Sequence, residues 1–338
     1  MIKILTLLGN NYGGCLQAVA LQRVIKDLGE DVETINYREY LNSKKNIKEL
    51  LKQIVYYNRN IKFNNFRKNH LLLSKQVIKI EDDEKSKYIV GSDQVWNPNI
   101  LYSIRKNFFL NFVKDKNRKF SYAASVGSEI LDEENEDKIV SMLNDFKLIS
   151  IREKSSKKLL KKVKTPIFEA LDPTLLLSKD EWDVYKDKSY SKNDYTLVYM
   201  LGVTNDIING INNNIIDNIM EISYKKHFKK TKYLQNGFGP SEFISAIDNS
   251  NCVITNSFHG MVFSIIYHKD FFVVLRDSMN SRIYDLLDNL GLTDRIINMN
   301  NENKININNH IDYREVDQKL NNLKEDNINF IKKIIREK

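Results

Sequence analysis

"CVITNSFHGMVFSIIYHKDFFVVL" (252–275) packs a short apolar run, a polar loop, a longer apolar run and a second apolar run into one stretch. The ends, "CVIT" and "FFVVL", are rich in β-branched and aromatic residues and read as strands buried on both faces. The segment between them reads as a helix. A strand–helix–strand succession makes the two strands parallel neighbours, because parallel pairing needs a crossover. The loop "NSFHG" (256–260) therefore lies at the carboxyl end of a strand, where open parallel sheets bind ligands. His259 stands there with Gly260 directly behind it.

The same alternation runs outward along the chain. Strands are expected at 2–8, 32–37, 87–90, 119–124, 148–151 and 168–171, with a helix after the first ending at Gly29. Residues 41–75 read as a mostly helical insertion. A polar stretch at 178–194 breaks the pattern and reads as a linker. Beyond it, strands are expected at 195–201, 231–235, 252–255 and 271–275, with a helix near 207–225. The Asn-rich stretch 298–310 reads as a loop, and 311–338 as a helix with apolar positions at helical spacing. The result is an α/β protein: an N-terminal domain over 1–178, a second over 195–298, and a terminal helix packing back toward the first.

The chain has 338 residues, enough for two such domains, and a formal charge of +8. No apolar run approaches the roughly 20 residues of a membrane span. "MIKILTLLGNNYGG" (1–14) reads as a first strand and loop, not a signal peptide. Cys15 and Cys252 form neither a disulfide framework nor a metal motif, which fits a cytoplasmic protein without a metal site. Much of the positive charge lies in "RNIKFNNFRKNH" (59–70) and "REKSSKKLLKKVK" (152–164). The second reads as a helix with Leu159, Leu160 and Val163 inward and its lysines solvated. No nucleic-acid-binding signature appears, so that partner is set aside.

Polar motifs gather at the carboxyl ends of the expected strands. "GNNYGG" (9–14), "GSDQVWNP" (91–98), "SVGSE" (125–129), "RE" (152–153), "DPT" (172–174), "NSFHG" and "RDSMNSR" (276–282) all fall there. This is the pattern of one ligand crevice between two domains. Gly13 and Gly14 allow close backbone approach before a helix start that favours an anion, or else form only a tight turn. Asp93 is placed to accept from a sugar hydroxyl, or to cap the next segment. Trp96 offers a stacking face or a core side chain. Arg152 suits bidentate grip on a carboxylate or phosphate, or an ion pair with Glu153. Asp172 orients a partner side chain or forms a turn. Asn256 and Ser257 add amide and hydroxyl groups beside His259. An anion drawn to that helix start favours the protonated, proton-donating imidazole.

Together these motifs resemble the polysaccharide pyruvyl transferase family. "NNYGGCLQAVALQ", "YIVGSDQVWNP", "SYAASVG", "SIREKSS", "LDPTLLL", "GPSEFISAI", "ITNSFHGMVFSI" and "NSRIYDLL" run in the family's order over about residues 1–290. The resemblance implies two facing Rossmann-like domains with a cleft between them, as in glycosyltransferases of the B architecture. It implies transfer of the enolpyruvyl unit of phosphoenolpyruvate onto two hydroxyls of a sugar, giving a pyruvate ketal and phosphate, with no further cofactor. The acceptor would be a cell-surface polysaccharide or its lipid-linked precursor, which suits peripheral association with the inner face of the cytoplasmic membrane.

By that resemblance His259 protonates the donor's methylene carbon, with Arg152 and Asp172 completing the catalytic set. The donor side, in the second domain, holds Asn256, Ser257, Gly260, Arg276 and Arg282. The acceptor side, in the first, holds Asn11, Gly13, Gly14, Gln17, Ser92, Asp93, Gln94 and Trp96. Some branches of the family carry Arg-x-His where this chain has Ser257-Phe258-His259, so Arg282 or Arg276 would replace a missing cation. Cys15, in the glycine loop, is a further candidate as an adduct-forming thiol. Two other readings compete. A glycosyltransferase of the same architecture would need a carboxylate for a nucleotide's ribose, for which Glu242 is the candidate. A non-catalytic glycan-binding subunit would need none of these groups intact.

Overall fold

A computed structural model describes residues 1–38, 56–97, 103–127, 133–189, 194–214, 218–276, 280–297 and 310–337. The expected loop at 298–310 falls almost wholly outside them. The chain divides into two compact units. The first comprises Met1–Leu50, Arg67–Leu177 and Asn322–Lys338; the second comprises Leu51–Phe66 and Ser178–Asn321.

The first unit is built on β1 (Ile2–Leu5), β2 (Val32–Thr34), β3 (Lys87–Val90), β4 (Lys119–Ser121), β5 (Ile149–Ile151) and β6 (Ile167–Glu169). One sheet runs β2-β1-β3-β4, and every pairing in it is parallel. Bridges from Phe120 to Leu148 and from Ala124 to Ile151 continue it to the parallel pair β5-β6. Leu73 and Val77 bridge to Thr34 and Tyr37 outside β2. The order therefore reverses between β1 and β3, as in a doubly wound sheet. Strands β3, β4 and β5 are buried almost throughout, which explains their lack of polar alternation. A core around Tyr88, Trp96, Phe109, Leu143 and Ile149 fills one face.

The second unit has β7 (Thr196–Tyr199), β8 (Ile219–Ile222), β9 (Thr231–Gln235), β10 (Cys252–Thr255), β11 (Asp270–Val274) and β12 (Ile296–Ile297). They form one parallel sheet ordered β12-β11-β10-β7-β8-β9, with its reversal between β7 and β10. Both units are thus Rossmann-like.

Four expectations need correction. The helix near 207–225 is shorter, Asn205–Asn214, and the chain then forms β8. The basic helix over 152–164 is only six residues long, Lys154–Leu159. The polar stretch at 178–194 does not begin as a linker. Ser178 accepts from the Glu181 amide and donates to its carboxylate, capping a helix whose Trp182 is buried against Phe263 at 4.9 Å. Part of the insertion expected within the first domain, residues 51–66, counts with the second unit. Its helix Tyr57–His70 buries Phe63 and Phe66, the latter 6.1 Å from Tyr185.

The final helix, Tyr313–Arg336, brings Asn327 into the first unit. Its buried amide oxygen accepts from the Tyr122 hydroxyl at 2.8 Å and the Leu171 amide at 2.9 Å. Phe330 stacks on Phe168 at 4.6 Å.

Candidate functional site

In each sheet a polar motif lies where the strand order reverses: after β1 and β3 in the first unit, and after β10 in the second. In the first unit, the chain leaving β1 turns through Gly9–Asn11 into the helix Tyr12–Asp27. Asn11 caps that helix, accepting from the Gly14 amide at 2.5 Å. A Cβ at position 14 would lie 2.9 Å from both the Asn11 amide and an Asp93 carboxylate oxygen, so only glycine lets these groups close over the helix start. Asp93 holds a φ of 107°, in the strained region that marks functional loops. Asn11 is exposed, and Asp93 and Gln94 stay partly open to solvent.

The other five expected acceptor residues do not, Gly13 and Gly14 among them. Gln17 is fully buried, donating to Thr6 at 2.9 Å and to the Gly14 carbonyl at 2.9 Å. Ser92 is fully buried in a network with Arg152 and Asp172. Trp96 is a core side chain. Its ring stacks on Phe109 and its indole N–H donates to the Phe108 carbonyl at 2.9 Å, leaving no face for a sugar. The sequence could not separate these cases, because a tryptophan in a polar motif packs as readily inward as outward.

Arg152 and Asp172 do come together. Nη1 of Arg152 donates to Asp172 at 2.8 Å and to Ser92 at 3.2 Å. Only 2% of the Arg152 side chain and none of the Asp172 side chain is exposed. Asp172 also accepts from the Thr174 amide and hydroxyl, capping the turn Pro173–Leu176. Burial works against the guanidinium's charge, but Asp172, Glu153 and Asp93 outweigh it and raise its pKa. Arg152 is therefore already enclosed by carboxylates, where the sequence reading had it gripping a donor anion. Arg152 and His259 belong to different units.

Arg67, which the sequence presents only as part of a basic run, belongs to this region. Its guanidinium donates to the Gly9 carbonyl at 3.1 Å and to the Asn10 side chain at 2.8 Å, bracing the glycine loop. Cys15 lies beside it. Burial pushes that thiol up to about 12 despite the opposing arginine, which leaves no nucleophile at neutral pH.

In the second unit, β10 ends at Thr255, whose hydroxyl donates to the Tyr199 carbonyl at 2.6 Å and accepts from the Ser257 amide at 3.0 Å. Asn256 accepts from the Leu201 amide at 2.6 Å, locking the loop after β7 to the loop after β10. Ser257 caps the helix Phe258–Ile266, accepting from Gly260 at 3.3 Å. Asn256 and Ser257 are buried, whereas His259, in the first helical turn, is half-buried. Arg282 lies over the Phe258 ring at 5.7 Å. The Arg276 amide donates to Asn280 at 3.0 Å. Glu242 accepts from the Gly239 amide at 3.1 Å and pairs with Lys62, so its carboxylate is committed within the protein. Among the described residues no cluster of three or more His, Cys, Asp or Glu side chains could hold a metal. Likewise, among them no helix is long and apolar enough to cross a membrane.

The family model for polysaccharide pyruvyl transferase matches residues 11–278. A comparison with curated protein sequences finds no significant match. Among solved structures, the UDP-GlcNAc 2-epimerase of Methanocaldococcus jannaschii in complex with UDP-GlcNAc and UDP aligns at TM-score 0.55 and 14% identity, covering 95% of this chain and 92% of that one. A second structure of UDP-GlcNAc 2-epimerase from that organism gives TM-score 0.52 at 10% identity, covering 95% and 91%. The glycotransferase of kitacinnamycin gives 0.50 at 10% identity, covering 98% of each chain. These likenesses establish the two-unit Rossmann-like fold and nothing finer.

Proposed function

From the premise that this chain belongs to the polysaccharide pyruvyl transferase family, we propose that it moves the enolpyruvyl group of phosphoenolpyruvate onto two hydroxyls of a glycan sugar, forming a pyruvate ketal. The observation that carries this reading is the fixed loop after β10. Thr255, Asn256 and Ser257 hold it by hydrogen bonds, and it presents a half-buried His259 at a helix start. A helix start favours an anion, and a fixed imidazole suits proton donation to carbon.

In this mechanism His259 gives its proton to the methylene carbon, which becomes a methyl group. A sugar hydroxyl adds to the central carbon and loses its own proton. A second hydroxyl then forms the other C–O bond as the C–O bond to phosphate breaks, and its proton goes to the departing inorganic phosphate. Arg282, beside Phe258, is suited to an anionic end of the donor. Asn11, Asp93 and Gln94 are suited to acceptor hydroxyls. Arg152 and Asp172 act as the buried brace beneath the acceptor loops. The acceptor is a surface polysaccharide or its lipid-linked precursor, met at the inner face of the cytoplasmic membrane.

The test is incubation with labelled phosphoenolpyruvate and lipid-linked sugars. The expected outcome is phosphate release matched by label entering the glycan. Tight binding of a nucleoside diphosphate with none of phosphoenolpyruvate would instead mark a glycosyltransferase. Binding of glycan without turnover would mark a non-catalytic subunit.

A further inference from the structure

We propose that Arg67 is a positioning residue of the acceptor side: its guanidinium holds the loop Gly9–Asn11 so that Asn11 and Asp93 meet a sugar in one fixed geometry. Its effect on turnover rests on the reading of this loop as the acceptor side; the existence of the brace does not.

After β1 the chain runs from Thr6 to Asn10 outside any strand or helix, and Gly9 is exposed. Such a segment has backbone freedom that a ligand would otherwise have to remove on binding. Arg67 removes it beforehand. Nη1 donates to the Gly9 carbonyl at 3.1 Å and Nη2 to the Asn10 side-chain oxygen at 2.8 Å. One planar fork thus holds two consecutive residues. Only 6% of Arg67 is exposed.

The fork is itself anchored. Arg67 lies in the last turn of the helix Tyr57–His70, and just beyond that helix the Gln22 amide bonds both sides of Leu72. Its oxygen accepts from the Leu72 N–H at 2.7 Å, and its nitrogen donates to the Leu72 carbonyl at 3.1 Å. That carbonyl also accepts from the Thr34 amide at the end of β2, at 2.8 Å. Gln22 belongs to the helix Tyr12–Asp27, into which the braced loop leads. The loop is therefore tied to this helix twice, by its own continuation at Asn11 and through Gln22, Leu72 and Arg67. All of these residues belong to the first unit.

What the brace positions is the polar edge of the site. Asn11 follows Asn10 directly. Its side chain takes the Gly14 amide and its carbonyl takes the Cys15 amide at 3.2 Å. Asp93 is set independently, its carbonyl accepting from the Ser125 amide at 3.0 Å. Rotation at Gly9 or Asn10 therefore moves Asn11 relative to Asp93, and small displacements of this kind weaken a site that must hold two hydroxyls in register.

Arg67→Met, which keeps the side-chain stem and removes both donors, tests this on the full chain. In turnover with phosphoenolpyruvate and polyprenyl diphosphate-linked hexoses, the acceptor KM is expected to rise roughly 10-fold while the phosphoenolpyruvate KM stays unchanged. In the substrate-free chain, hydrogen exchange should quicken at the Gly14 and Cys15 amides and stay unaltered in β3 and β4. Arg67→Lys, with a point charge in place of a fork, should fall between the native chain and Arg67→Met in both readouts. A native acceptor KM, or native exchange at Gly14 and Cys15, in folded Arg67→Met overturns the proposal. So does a lower thermal midpoint with a fall in kcat alone, the mark of a purely structural side chain. If Arg67→Met fails to fold, Arg67→Lys decides by the same two measurements. A native chain without turnover would remove the phosphoenolpyruvate reading, and exchange at Gly14 and Cys15 would then decide the brace by itself.

Discussion

A Cβ at position 260 would lie 2.5 Å from the Thr255 hydroxyl and 3.1 Å from two Thr255 carbons. The helix carrying His259 is therefore seated on its own strand at a distance only glycine permits. Thr255 cannot yield, since its hydroxyl is held by the Tyr199 carbonyl and the Ser257 amide. Gly260→Ala is expected to cost about 1–3 kcal/mol, as overpacked core positions do. Denaturant unfolding of the variant measures this, and an unchanged midpoint would mean the helix shifts freely.

His259→Gln is expected to lower turnover by about 10²- to 10⁴-fold, the usual contribution of a positioned general acid. Donor affinity and thermal midpoint should stay near native values. Near-native turnover in the folded variant would remove His259 from the chemistry.

Arg152→Ala should act first on stability. It strips a buried carboxylate of its counter-charge, and breaking such a pair costs about 3–5 kcal/mol. The double variant Arg152→Met with Asp172→Leu should cost less than the two single changes added together, because it removes both charges. Additive losses in denaturant unfolding would contradict the pairing.

Acid sensitivity should centre on Asp83. Burial pushes its carboxyl up, but hydrogen bonds from Lys3, the Ser86 hydroxyl and the Ser86 and Lys85 amides outweigh this and hold it well below the usual carboxylate range. A carboxyl depressed in the folded state contributes stability in full above its unfolded value. That contribution fades as pH falls below about 4 toward the folded pKa. The thermal midpoint of Asp83→Asn should therefore fall less steeply over that acid range than the native one. Parallel curves would count against this assignment.

The parts of this molecule legible in sequence are those governed by short-range rules. "CVIT" and "KYIV" announce buried parallel strands, and "NSFHG" sits where such strands end. β8 went unseen because "IMEI" (219–222) contains a glutamate. That residue is tolerated since Glu221 takes hydrogen bonds from the His227 amide and the Thr231 hydroxyl. Trp96 and Ser92 were misread because burial of a side chain in a polar motif depends on elements far away in sequence. Arg59 and Arg67 fall in a basic stretch that reads as bulk charge. Their signal was present: both lie on the helix face that buries Phe63 and Phe66.

The assembly of the first unit from separate stretches of chain has a consequence for biosynthesis. Tyr122 and its acceptor Asn327 are 205 residues apart. At the usual rate of elongation a ribosome takes roughly 10–40 s to cover that distance. Once β6 has been made, every strand of the first unit is present, but the Tyr122 hydroxyl and the flat side of Phe168 still lack the helix that covers them. The nascent chain is then most exposed to mispairing and most in need of a chaperone, and the seam closes only when the helix Tyr313–Arg336 emerges.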